Sequence, residues 1–123
     1  MGFNFNIKKD GICESGIWER AFVSTDIDTK NWQMLTADFD GKYIRLYKNS
    51  QLLTSQKSTN ATKVNYCSSG NFRIGRWWKN FPFQYVGELD DIFIYNRSLD
   101  SNEIKRLYKL QSVDKCLKDQ STS

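Results

Sequence analysis

At 123 residues the chain is long enough for one hydrophobic core and too short for two. Four Trp, six Tyr and eight Phe stand against a single Pro, and no apolar run reaches the roughly 18 residues of a membrane helix, so a globular chain with no membrane insertion is expected. The 18 Lys and Arg exceed the 14 Asp and Glu only slightly and are scattered, which argues against a nucleic-acid partner, and the absence of His removes the commonest general base and the commonest zinc ligand.

In chain order, Phe3, Phe5 and Ile7 alternate with polar residues, the period of a half-buried strand, and Asp10-Gly11 supplies a turn. Residues 17–23 alternate again, but Trp18, Arg20 and Phe22 oppose Ile17, Ala21 and Val23, which predicts a strand covered on both sides. Leu35, Ala37 and Phe39 run into Asp40-Gly41, and residues 43–47 resume the alternation, which predicts a β-hairpin. On its returning strand Ile44 and Leu46 share one face; Tyr43, Arg45 and Tyr47 share the other and form a candidate contact face or a face turned to a second sheet.

Residues 56–69 are polar and without period, the composition of a surface loop. Phe72 and Ile74 mark a further short strand. Arg76, Trp77, Trp78, Lys79, Phe81 and Phe83 surround Pro82 in an aromatic loop. Residues 85–95 are nearly unbroken apolar, interrupted by Glu88, Asp90 and Asp91, and predict a long strand. A short helix follows: Asp100 is a cap, Glu103 completes a capping box, and Leu99 with Ile104 forms a hydrophobic staple. The polar residues 111–123 are expected to be a frayed tail.

Cys13, Cys67 and Cys116 lie far apart with no Cys-x-x-Cys spacing, so neither a zinc knuckle nor a redox dithiol is expected, and the odd count leaves at least one thiol free, with any pairing open. Asn60-Ala61-Thr62 and Asn96-Arg97-Ser98 fit the glycosylation pattern, which with a disulfide suits an extracellular setting. The first residues lack the charged and apolar regions of a signal peptide.

The run Gly87-Glu88-Leu89-Asp90-Asp91-Ile92-Phe93-Ile94-Tyr95-Asn96-Arg97-Ser98-Leu99, followed by Glu103-Ile104 and Leu107-Tyr108, resembles the C-terminal signature of concanavalin A-like, laminin-G-type domains. Trp32-Gln33-Met34-Leu35, Asp40-Gly41 and Leu46-Tyr47-Lys48-Asn49 are similar to that family's central hairpin, and Phe72-Arg73-Ile74-Gly75 to the strand before its aromatic loop. Asn49-Ser50 stands where the family usually has Asn-Gly, which predicts a different turn there. The resemblance implies an all-β, antiparallel jelly-roll β-sandwich with one short C-terminal helix, over residues 1–110, with 111–123 as the tail. It also implies that several N-terminal strands of the family pattern lie elsewhere: in a longer parent chain, or in a neighbouring chain that completes the sheet, or trimmed away in a smaller closed fold.

If residues 85–95 are a strand, Asp90 and Asp91 point to opposite apolar faces and at least one carboxylate is buried. It would then meet backbone N–H groups or an arginine, or, as the resemblance implies for Asp90, a structural Ca²⁺. Arg76, Trp77, Trp78, Lys79, Phe81 and Tyr85 offer flat apolar surfaces beside donors, suited to a glycan or protein partner or to closing one end of the core. A glycoside hydrolase is disfavoured, because Glu88 and Asp90 share a face but stand about 7 Å apart and Ile92 occupies the third acidic position. No Ser-His-Asp set is available without His, and no phosphate-cradling glycine loop is present. The expected function is therefore non-catalytic recognition of carbohydrate or protein at a surface, the alternative being a structural subunit of a capsid, surface layer or other assembly.

Overall fold

The computed structural model describes residues 2–13, 18–24, 30–68, 73–75 and 84–121. Five strands and one helix follow one another as β1 (Gly2–Lys8), β2 (Trp18–Ser24), β3 (Leu35–Phe39), β4 (Tyr43–Lys48), β5 (Gln51–Lys57) and α1 (Ser101–Ser121). All pairings are antiparallel: β1 with β2 in one sheet, and β3-β4-β5 in the other.

Each connection has a local cause. The Asp40 carboxylate accepts the N–H groups of Lys42 (2.8 Å) and Tyr43 (2.7 Å), and Gly41 takes φ 88° with the Thr62 carbonyl in the space a Cβ would occupy. The turn into β5 has positive φ at both central residues, 48° at Asn49 and 67° at Ser50. The expectation of a different turn is thereby corrected: Ser50 adopts the backbone that Gly would favour, because Lys48 and Gln51 are paired across a two-residue hairpin whose twist matches the strands. The Asn49 carboxamide reinforces it by accepting from Met34 N–H at 3.0 Å.

Alternation then decides the layers. Ile44 and Leu46 are fully buried against Ile7, Ala21 and Ala61, with Phe5, Val23 and Phe39 around them, so the two sheets face each other through this core. β2 lies over β4 and β5, and β1 over β4. Phe22, expected to be covered, is exposed on the outer face of β2, where the Arg20 guanidinium sits 5.7 Å from its ring. Leu35 and Ala37 on β3 are also exposed, because the two-stranded sheet lies mainly over β4 and β5.

The opposite face of β4 belongs to the helix. Tyr47 is buried with Leu99 and Ile104, and Met34 and Leu107 close this second cluster. Of the Tyr43, Arg45 and Tyr47 face, Tyr47 is covered by the helix, while Tyr43 and Arg45 are half-buried. The capping box forms as expected: Asp100 Oδ1 accepts Glu103 N–H at 2.8 Å, and Glu103 Oε2 accepts Asp100 N–H at 2.9 Å. The helix runs 21 residues and so continues through residues 111–121, where a frayed tail was expected.

One expected strand is not seen among the described residues, and the other, at Phe72 and Ile74, falls partly outside them. Residues 73–75 carry a bend, with Ile74 half exposed; residues 85–95 form no strand. In the latter, Asp91 takes the left-handed φ of 52°, which breaks the alternation that the apolar residues suggest. Tyr85 is held to the preceding segment, its N–H donating to the Gly75 carbonyl at 2.7 Å.

Candidate functional site

Three places bring chemistry together. The first is a polar node beneath the helix. Asp38, 6% exposed, accepts Leu99 N–H at 3.0 Å, the Ser98 hydroxyl at 2.9 Å and Arg45 Nη1 at 3.2 Å. The second guanidinium nitrogen of Arg45 reaches Asp40 at 2.6 Å. Burial works against the charge of Asp40, but N–H groups of Tyr43 and Lys42 and the Arg45 guanidinium hold its carboxyl below the ordinary value. This is the buried carboxylate that the sequence reading sought at Asp90 or Asp91. Asp90 is instead exposed, its Oδ1 accepting Asp91 N–H at 2.8 Å, and Asp91 is partly buried. The physical reason is the missing strand: without two covered faces, neither carboxylate is forced inward. Asp38 was legible all the same, since the Asp40-Gly41 turn sets a register that pairs it with Arg45.

The second place is a clamp between the two sheets' loops. Asp10 accepts the Thr62 N–H (3.0 Å), the Thr62 hydroxyl and the Lys63 N–H (3.3 Å). The Thr62 hydroxyl is the main cause that lowers the Asp10 pKa from its ordinary value. Asn65 donates to the Lys9 and Ile12 carbonyls, both at 2.7 Å, and accepts from Gly11 N–H. A Cys13–Cys67 disulfide spans the same junction, which resolves the open pairing. The clamp has every hallmark of a structural tie.

The third place is the run of residues 85–95. Tyr85, Val86, Leu89, Ile92, Phe93, Ile94 and Tyr95 are all substantially exposed, from 44% at Tyr95 to 92% at Val86. Contiguous apolar exposure on this scale marks an interaction surface or a liability. Of the aromatic-loop residues, Tyr85 is placed here, half exposed, its hydroxyl donating to the Glu88 carbonyl at 3.4 Å; Arg76, Trp77, Trp78, Lys79 and Phe81 lie outside the described residues. Among the described residues, no group of three or more Asp, Glu or Cys side chains converges as a metal cage would require. Asp90, exposed, would hold a calcium ion only together with further oxygen ligands, of which calcium takes six to eight.

A shallow groove of about 710 Å³ separates α1 from the start of β5. Its floor is Tyr47, its apolar wall Leu52 and Tyr108, and its rim carries Lys105 and Lys109. No sequence pattern marks it, because residues 47–52 and residues 101–109 line it together.

A laminin-G profile, described as the concanavalin A-like lectin/glucanases superfamily, matches residues 3–105. The chain belongs to this superfamily. Two facing antiparallel sheets followed by a C-terminal helix agree with membership of the concanavalin A-like superfamily. A search of curated proteins returns no match. A solved structure, that of an S-layer domain-containing protein (residues 221–444) from Clostridium thermocellum ATCC 27405, is similar with a TM-score of 0.52 at 18% identity. The match covers 87% of this chain and 51% of that one, so the chain spans about half the length of its structural neighbour. Among the described residues no helix is long and apolar enough to cross a membrane.

Proposed function

We propose that this concanavalin A-like chain is a non-catalytic recognition module of a surface-exposed protein, and that it holds a protein partner on residues 85–95. One observation carries the reading: seven large apolar side chains in eleven residues stand open to solvent, where the alternation calls for a strand between two layers. A partner strand laid beside them would remove their apolar area from water, at roughly 25 cal/mol for each Å² covered. The jelly-roll closure implied by the family resemblance is part of the same proposal, with the added strand completing the sheet.

The Cys13–Cys67 disulfide supports an oxidising, extracellular setting. The structural neighbour is an S-layer domain-containing protein, which supports a place in a surface assembly for this chain as well. Glycan binding by Trp77, Trp78 and their neighbours is a further proposal on the flat apolar surfaces they offer beside donors, and Ca²⁺ at Asp90 is one on the resemblance. Light scattering of the purified chain, with and without calcium, tests the main reading. It predicts association that Ile92→Ser together with Ile94→Ser abolishes; a compact monomer that binds no apolar dye contradicts it.

A further inference from the structure

Residues 85–95 are acidic as well as apolar. They carry Glu88, Asp90 and Asp91 and no Lys or Arg, although the whole chain is positive by four. Two such segments placed side by side would set carboxylate against carboxylate, so the segment is poorly suited to pair with itself. Its partner should be apolar with a cationic rim.

The same chain presents that surface at the groove between α1 and β5. Leu52 is 54% exposed there, Tyr108 is half-buried, and Tyr47 forms the floor. Lys105 and Lys109, one turn apart on α1, line one side, and residues 104–113 hold Lys105, Arg106 and Lys109 with no carboxylate. β5 is the outer strand of its sheet among the described residues, so the groove borders an edge open to strand addition.

We propose that residues 85–95 of one copy dock in the α1–β5 groove of a second copy. The carboxylates of Glu88 and Asp90 meet Lys105 and Lys109, and the apolar side chains of Ile92 and Ile94 cover Leu52 and Tyr108. Donor and acceptor are different surfaces of one chain. A one-way contact therefore propagates as an open row, and a reciprocal one closes as a dimer. The inference rests on the reading of residues 85–95 as a docking segment and names its occupant.

Charge reversal separates the possibilities. One variant combines Glu88→Lys with Asp90→Lys; the other combines Lys105→Glu with Lys109→Glu. Each alone should be monomeric at about 100 µM, with self-association weakened at least about tenfold relative to the unaltered chain. In the first, donor and groove are both cationic; in the second, both are anionic. An equimolar mixture should assemble again, because each donor then faces a groove of opposite charge, and only folded variants can give this recovery. Raising NaCl should weaken association in the unaltered chain and in the mixture alike.

A monomeric unaltered chain, association that neither variant weakens, or a mixture that stays monomeric overturns the second-copy assignment. Amide exchange in the monomeric charge-reversed variants distinguishes this from failure of the parent reading. Slow exchange across residues 85–95 there would mean that the chain covers its own segment and sink both; fast exchange with no assembly would sink only the choice of occupant.

Discussion

Residues 43–48 and residues 92–96 are written in nearly the same alphabet, Tyr-Ile-Arg-Leu-Tyr-Lys and Ile-Phe-Ile-Tyr-Asn, yet they meet opposite fates. Ile44 and Leu46 are fully buried, whereas Ile92 and Ile94 are 49% and 72% exposed. The difference lies in their neighbours. β4 has β3 and β5 on its two edges, a sheet on one face and α1 on the other. Among the described residues, the run 85–95 makes a backbone bond back to Gly75 and has no strand beside it. A strand pattern is a request for partners, and the structure answers it only where the chain supplies them.

The tied region should therefore break expensively and the open one cheaply. Replacing Cys13 and Cys67 together by Ser removes a cross-link 54 residues apart. Loop-closure entropy puts the cost at about 4 kcal/mol, read as a fall in the unfolding midpoint. Asp38→Ala follows at about 3 kcal/mol, because it removes one of the two carboxylate partners of Arg45 and leaves the Leu99 N–H without its acceptor. Chemical denaturation checks both, with an unchanged m-value for Asp38→Ala and a larger one for the Cys variant, whose unfolded chain expands.

A smaller effect comes from the helix cap. The Arg97 guanidinium, aided by the Asp100 N–H, holds the Glu103 carboxyl at about 2, below its ordinary 4.5. A depressed carboxylate contributes stability that is present above pH 4.5 and lost as the pH falls towards 2. The stability gap between the native chain and Glu103→Gln should therefore be constant near neutrality and close over that acid window. The smallest change belongs to Ile94→Ser in the monomer, within about 0.5 kcal/mol, since a side chain already in water has little burial to lose.

The strands β1 to β4, the Asp40-Gly41 hairpin and the capping box of α1 were legible because alternation, turn chemistry and caps act over a few residues. Asp38 and Arg45 were within reach of the same reasoning through the hairpin register. The length of α1 was not, since the mostly polar composition of residues 111–121 reads as a tail. Nor was the state of residues 85–95, because pairing depends on what lies beside a strand and the segment's own residues do not encode that. The α1–β5 groove joins residues 47–52 to residues 101–109, a meeting that no local pattern reports.

Backbone amide exchange of the chain at a concentration where it is monomeric tests the central claim most directly. Residues 43–48 should exchange at the slow rate of global unfolding and residues 85–95 at nearly the rate of an unstructured peptide. Equal protection of the two segments would show that residues 85–95 already have their partner within the chain, and would contradict the account.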